Sequence, residues 1–483
     1  MQSTMRNSRS RAVRAGIGAA FAAGLLASVP ALAQQGTGMR AVFGFSQGFA
    51  ADSNRELAPS DPGSSLVSTT GLNFGLRSET RTEQFSLQGQ LNARLFDVPN
   101  DSRRFRFTGP NLTASYRRDA ANSGIALSAS YNRDSLAFRR PIDDFLVSLP
   151  VVDDTGLPVL DEAGEPTFVD VIILPEDEAA LLGSGTRTAG SLSGRIDLGR
   201  EGPIGFTGTA SRRTLRYSVP ASGADSTRDQ LGLTLRLRLS PVTTGRIAFS
   251  ASRFDAEDAV RTLRDRISLR FGVRHEFSQV LVLDASLGPS RVITRERTPG
   301  TREVSSGLDG DIGLTRSLRN GTVGLSLSAV TNENGTRRSF RLNRALDLPR
   351  GALSGSIGMA RTAEGDRRTV GQLTYRHDMP TGTLSLRANR DFGINVDDEV
   401  EAFTSLSVDY NHAINSLSSF NLGARYLART DDSATVTATY RRALTPDWNL
   451  NMGYRFDSID RAAGRTSNHG VFLNISRSID FGL

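Results

Sequence analysis

The segment "RISLRFGVRHEF" sets Arg266, Ser268, Arg270 and Arg274 against Ile267, Leu269, Phe271 and Val273. Alternation of this kind places the two sets on opposite faces of a strand. One face can lie in an apolar phase, while the other carries a column of guanidinium groups. Guanidinium is a permanent cation with a planar fork of donors that matches carboxylate and phosphate. The pattern recurs in "QLGLTLRLRLS", where Leu231, Leu233, Leu235, Leu237 and Leu239 oppose Gly232, Thr234, Arg236 and Arg238. By the same parity Arg94, Arg387, Arg425 and Arg455 stand on the polar faces of their strands, as do Arg195, Arg376 and Arg441. Asp284, Asp309, Asp311, Asp409 and Asp457 share those faces. Two chemistries fit. The arginines line a conduit for anionic solutes or an acidic polymer, or the charges pair across neighbouring strands and only solvate an interior. On the first reading the candidate pore-lining residues are Arg94, Arg236, Arg238, Arg266, Arg270, Arg274, Arg387, Arg425 and Arg455.

The residue types of catalysis are sparse. The four histidines, His275, His377, His412 and His469, lie far apart, and the first three fall with the apolar sets of their strands near strand ends. That is the placement of interfacial side chains. No serine sits in a nucleophile-elbow context, and no His/Asp/Glu cluster has metal-ligand spacing. The chain has no cysteine, which removes disulfides and thiolate chemistry. The expectation is a protein that is not an enzyme, with no catalytic residues, no metal and no cofactor.

The elements that carry these faces are strands throughout. In "EQFSLQGQLNARL", Phe85, Leu87, Leu91, Ala93 and Leu95 oppose Ser86, Gln88, Gln90, Asn92 and Arg94. In "DWNLNMGYRFD", Trp448, Leu450, Met452, Tyr454 and Phe456 oppose Asn449, Asn451, Gly453 and Arg455. Period-two patterning holds over most of the chain, and helical periodicity is essentially absent. Connections alternate in length. Tight ones such as Arg319–Gly321, Pro349–Gly351 and Pro380–Gly382 have hairpin-turn composition. Longer, mostly acidic ones include Asp52–Gly63, Val219–Thr227, Asp255–Arg261 and Gly393–Glu399. The count comes to about 22 strands, roughly 20–24, with short turns at one end and longer loops at the other. In "FTGPNL" the outward parity flips between Phe107 and Leu112, which predicts a bulge at Gly109–Pro110.

The N-terminus adds an export signal. Arg6, Arg9, Arg11 and Arg14 precede an apolar stretch from Ile17 to Val29, followed by the small residues Ala31 and Ala33. Residues 1–33 therefore read as a secretory signal peptide, leaving residues 34–483 as the mature chain. Subtracting its four arginines from the whole-chain charge of +7 leaves +3, so nucleic-acid binding is not implied. Only 38% of residues are hydrophobic, low for a soluble protein of this size but suited to strands with one wet face. The fold class is all-β: a transmembrane antiparallel up-and-down β-barrel.

The C-terminal strand "VFLNISRSIDFGL" puts Val471, Leu473, Ile475, Ile479, Phe481 and Leu483 on one face. This resembles the terminal strand of Gram-negative outer-membrane β-barrel proteins, porin-like ones among them. The family pattern favours a terminal aromatic, whereas here Phe481 stands two places in from Leu483. The resemblance implies residence in the outer membrane, contact with its lipid and lipopolysaccharide, and recognition by the barrel-assembly machinery. In strand number the chain is also similar to TonB-dependent transporters, which carry a globular plug before the barrel. Here "QQGTGM" leads directly into "RAVFGFSQGF", so no plug domain is expected. The stretch "ADSNRELAPSDPGSSLVSTTGLNFGL" resembles barrels found with exopolysaccharide systems, over the first hairpin only.

One connection stands apart. Residues 135–186 hold two arginines against eleven acids, a net charge of −9, among them Asp143, Asp144, Asp153, Asp154, Glu176, Asp177 and Glu178. The apolar runs "DFLVSLPVV" and "FVDVIILP" give this loop the means to pack on itself, with a hairpin around Ala163–Pro166. It is expected either to fold into the pore as a constriction opposite the arginines, or to stand outward toward a partner or the lipopolysaccharide surface. The function read from the sequence is an outer-membrane channel for passive or gated passage of solutes, with anionic solutes or polysaccharide as candidate cargo. The alternatives are a barrel for exopolysaccharide export and a structural or adhesive surface barrel.

Overall fold

A computed structural model of the chain describes residues 38–55, 57–60, 63–97, 105–135, 146–150, 168–172, 185–219, 224–363, 365–394, 400–429, 431–462 and 464–482. The strands are β1 (Met39–Asp52), β2 (Ser65–Glu79), β3 (Glu83–Asp97), β4 (Phe105–Ala120), β5 (Ser123–Ser135), β6 (Leu146–Pro150), β7 (Phe168–Ile172) and β8 (Thr186–Leu198). They continue as β9 (Ile204–Tyr217), β10 (Ser226–Ser240), β11 (Thr243–Ala256), β12 (Thr262–Ser278), β13 (Leu281–Glu296), β14 (Thr301–Leu318), β15 (Gly321–Asn332) and β16 (Gly335–Leu348). The last are β17 (Gly351–Arg361), β18 (Arg367–Met379), β19 (Gly382–Ile394), β20 (Val400–Asn415), β21 (Ser418–Ala428), β22 (Asp432–Ala443), β23 (Trp448–Arg461) and β24 (Gly464–Gly482). Among the described residues no helix is long and apolar enough to cross a membrane.

Successive wall strands pair antiparallel, and β5 pairs directly with β8. β6 and β7 form a separate two-stranded sheet inside the long acidic connection. The two apolar runs of that loop thus pair with each other, while the expected turn at Ala163–Pro166 lies outside the described residues. β24 returns to β1, from Gly482 opposite Arg40 to Gly470 opposite Asp52. The 22-stranded sheet is therefore closed and has no free edge. Its strands run from 11 to 19 residues, longer than the roughly 9–11 that cross a tilted bilayer.

The alternation read from the sequence settles on the outer face. Leu239 is 66% exposed and Ile357 65%, and Phe43, Phe107, Leu287 and Phe271 are likewise exposed. These side chains share parity with the other large apolar residues of their strands and form the apolar belt. The opposite parity carries serine pairs that face each other across strands, Ser128 with Ser193 and Ser130 with Ser191, each at 2.6 Å. The expected bulge is present: Gln90 faces Asn111 and Asn92 faces Thr108, so Gly109 and Pro110 oppose Leu91 alone. Gly109 has φ 99°, a conformation that favours glycine. Arg477, on the apolar face, lies at the end of the barrel with short turns. Its guanidinium sits 5.6 Å from the Trp448 ring centre and 4.0 Å from Asp447, at the border where a long cationic side chain can reach water.

Leu235 faces Phe206 on one side and Ile247 on the other, within this outer belt. Leu235→Arg should lower folding stability in bilayers by roughly 2–4 kcal/mol, the cost of a charge facing mid-membrane lipid. Thr234→Arg, one residue away on the inner face, should cost much less. Denaturant unfolding of both variants checks this, and equal losses would overturn the parity assignment.

Candidate functional site

The inner wall of β11–β14 is a ladder of paired charges. Arg266 on β12 reaches over β13 to Asp309 on β14 at 2.5 Å, and Arg270 reaches Asp311 at 3.6 Å. Arg246 on β11 likewise pairs with Asp284 on β13, across β12. Such pairs need an open path across the strand between. Gly272 faces Arg246, and a Cβ there would lie 3.4 Å from Arg246 Nε. On β13 the path is kept open by Ser286, Gly288 and Ser290; a Cβ at Gly288 would collide with the backbone oxygen of Leu269. Side chains that reach past a neighbouring strand do so most readily on a concave surface, which identifies this face as the lumen. Asp309 is nearly inaccessible and also accepts the Thr331 amide at 2.7 Å; Asp311 accepts Ser286 Oγ at 2.6 Å.

The loop end of the barrel holds two further constellations on the same inner face. At the closing seam, Asn468 donates to Asp52 (3.1 Å) and Asp457 (3.2 Å) and accepts the Asn54 amide (3.0 Å). Asp457 also takes Arg455 at 2.8 Å and Thr435 at 3.0 Å. The residues after β1 turn inward over this cluster. The Leu57 carbonyl accepts from Arg461 (2.9 Å) and Thr466 (3.1 Å), and Leu57 itself is buried. The second constellation is the tip of β19–β20. Pairing of β18 with β19 stops at Gly371 opposite Arg390, whereas β19 and β20 stay paired to Ile394 opposite Val400. Phe392 leaves the wall and buries itself against Ala360 and Val370. Arg337 on β16 pairs with Asp391 and lies 4.1 Å from the Phe392 ring centre, and Arg341 adds a 3.5 Å contact to Asp391.

The turn end carries a third network. Arg200, in the turn after β8, binds Asp119 at 2.7 Å and Asp197 at 3.2 Å. Burial alone would lower the Arg200 guanidinium, but its hydrogen bonds to Asp119 and Asp197 outweigh that and carry it above its ordinary value.

The arginines singled out in the sequence divide among these places. Arg266 and Arg270 belong to the ladder and Arg455 to the seam. Arg236 donates to the carbonyls of Gly199 (3.0 Å) and Arg200, and Arg238 to that of Glu201 at 3.5 Å, so both clamp the turn after β8. Arg274 faces Asp284 across the β12–β13 pair. Arg94 faces Arg106 and has Asp134 within electrostatic range. Arg387 faces Ser407, which in turn faces Arg425. The acids of the long loop, Asp143, Asp144, Asp153, Asp154, Glu176, Asp177 and Glu178, lie outside the described residues. The sequence reading did not single out Arg246, Arg337, Asp391 or Asn468. Their partners are one or more strands removed, a relation that alternation within a strand does not encode.

The histidines stand on the outer face beside aromatic rings. His377 stacks on Tyr375 and His412 on Tyr410, with ring centres 6.1 and 6.0 Å apart, and His275 meets Phe277 edge-on at 4.7 Å. Rings with one apolar side and one polar atom suit a membrane border. Among the described residues no group of three potential ligands is placed to hold a metal ion.

No protein-family model matches the sequence, and no curated protein matches it. Solved structures do share its fold. The chain is similar to the FrpB iron transporter from Neisseria meningitidis (F5-1 variant), with TM-score 0.59 and 8% identity, covering 92% of this chain and 82% of that one. It is also similar to the siderophore receptor PirA from Pseudomonas aeruginosa, with TM-score 0.50 and 10% identity, covering 91% and 80%. The PirA receptor from Acinetobacter baumannii gives TM-score 0.50 and 8% identity, covering 90% and 80%. At these identities the likeness defines the fold. The class is a closed 22-strand outer-membrane β-barrel, with its apolar belt in the outer membrane.

Within the ladder, Arg266→Gln leaves the Asp309 carboxylate buried without its cation. A loss of roughly 1–3 kcal/mol is expected in denaturant unfolding. Arg253→Gln removes an exposed partner of Asp265 and should change stability by less than about 1 kcal/mol. Equal effects would mean that the ladder contributes no more than a surface pair.

Proposed function

We propose that the chain is an outer-membrane channel for solutes, gated or passive, with a preference for anions. Its loop end faces the cell exterior. The observation that carries the reading is the closed wall itself: apolar outside, and polar inside with arginines in excess of carboxylates. A confined lumen with a surplus of fixed cations attracts anions and repels cations. The ladder moderates this preference, because Asp284, Asp309 and Asp311 each hold an arginine. The similar folds named as an iron transporter and siderophore receptors support solute passage over a surface scaffold.

A barrel of this size needs something to narrow its bore. In this proposal the narrowing element is the acidic loop 135–186 rather than a plug, with its carboxylates drawn toward the arginine-rich wall. The inward fold of the residues after β1 and of the β19–β20 tip narrows the same mouth.

Single-channel recording in planar bilayers tests both parts. The mature chain should conduct with anions favoured. Deleting Asp143–Glu178 should raise conductance several-fold and increase anion selectivity. A deletion that assembles and conducts like the parent would remove the loop from the gate. A parent and deletion that both fail to conduct would make the barrel a scaffold.

A further inference from the structure

Arginine on the outer face of a barrel is costly in mid-membrane and tolerable only near its borders. Three such arginines lie side by side at the loop end. Arg338 on β16 faces Arg361 on β17, which faces Arg367 on β18. All three are exposed and share parity with Phe340, Ile357, Met359 and Leu373, so they project on the lipid side. Like charges directly opposite one another repel. Among the described residues no carboxylate pairs with any of them; the nearby Asp366 is engaged, at 3.8 Å, by Arg368. Several other arginines of the outer face do have a carboxylate partner. Arg212 meets Asp229 at 3.5 Å, and Arg253 and Arg295 meet Asp265 at 2.7 and 3.0 Å. Three adjacent cations with no carboxylate partner among the described residues, at the edge of the apolar belt, are placed for an anion from the membrane.

An apolar cavity adjoins them. It measures about 570 Å³ and lies on the outer wall, with Phe271, Leu287, Ile312 and Leu327 as its sides and Arg338 at its end. It exists because two positions in the row are small. Reading across the strands, Phe271 faces Leu287, Leu287 faces Gly310, Gly310 faces Ala329 and Ala329 faces Arg338. A Cβ on Gly310 would lie 2.4 Å from the Ser286 carbonyl oxygen, so this close approach of backbones requires glycine. The row thus passes from an apolar trough to the arginine triplet without a break.

A ligand that fits both parts has an acyl chain and phosphate at its head. We propose that β16–β18 bind the phosphorylated glycolipid of the outer leaflet. Its phosphates lie on Arg338, Arg361 and Arg367, and one acyl chain follows the trough past Ala329. Guanidinium forks bind phosphate through paired charge-assisted hydrogen bonds. The site rests on the outward orientation of the loop end, and it is independent of whether the lumen conducts.

The test uses the mature barrel in detergent, with heat-modifiable gel migration as the check of folding, and measures binding of diphosphorylated and of dephosphorylated lipid A. The variant R338Q/R361Q/R367Q should bind diphosphorylated lipid A on the order of a hundredfold more weakly, given the contribution of each arginine near an anionic lipid surface. Dephosphorylated lipid A should bind the parent about as weakly as that. Ala329→Phe, which fills the trough and keeps the arginines, should also weaken binding. R212Q/R253Q, whose arginines each have a carboxylate partner, should leave it unchanged. If the triple variant fails to fold, Arg361→Gln alone should weaken binding about fivefold. Undiminished binding by the folded arginine variant, or equal binding of the two lipids by the parent, would overturn the proposal.

Discussion

Hydrocarbon offers no hydrogen-bond partner to a peptide group, so every backbone amide and carbonyl of a membrane wall must be satisfied by another strand. In this chain that requirement converges on one pairing, that of β24 with β1. Without it the sheet would end in two long edges, and the apolar belt would have no continuous surface to present. The seam is reinforced where it meets water. Phe43 and Phe481 meet edge-on at 6.0 Å on the outside, and Asn468 ties Asp52 to Asp457 on the inside. The buried amide of Asn468 is suited to this position because it can donate to two carboxylates and accept a backbone amide at once.

Closure also explains the economy of the inner wall. A concave surface brings alternate strands within reach of one another, so long arginines can satisfy acids on strands they do not pair with. The reach depends on small side chains between, and Gly272, Ser286 and Gly288 hold those places. Arg337 extends the principle to the mouth, where it spans from β16 to Asp391 on β19 and holds the β19–β20 tip over Ala360 and Val370. The charges that give the lumen its chemistry are thus also struts that fix the shape of the mouth.

Much of this architecture was legible in single strands. The leucines from Leu231 to Leu239, the hairpin turns and the bulge at Gly109–Pro110 follow from period-two alternation and turn composition, and the barrel shows all of them. Of the inner arginines, Arg266 and Arg270 pair with acids two strands away, and Arg455 pairs with Asp457 on its own strand. Arg236 and Arg238 have the right parity but lie so close to the turn end that backbone carbonyls claim them. What alternation does not reveal is register between strands. The inward fold at Leu57, the release of Phe392 from the wall and the arginine row on β16–β18 all arise from which residue faces which.

One parity of each strand meets lipid, and the other meets water around a closed lumen. The cysteine-free sequence makes this directly measurable. Single cysteines placed in turn from Leu231 to Leu239, in barrels reconstituted into liposomes, can be challenged with a membrane-impermeant thiol reagent and, after labelling with a fluorophore, with a lipid-phase quencher. Positions 232, 234, 236 and 238 should react with the aqueous reagent. Positions 231, 233, 235, 237 and 239 should be quenched from the lipid. Uniform reactivity along the strand, or the opposite alternation, would mean that the two faces are not divided between lipid and water.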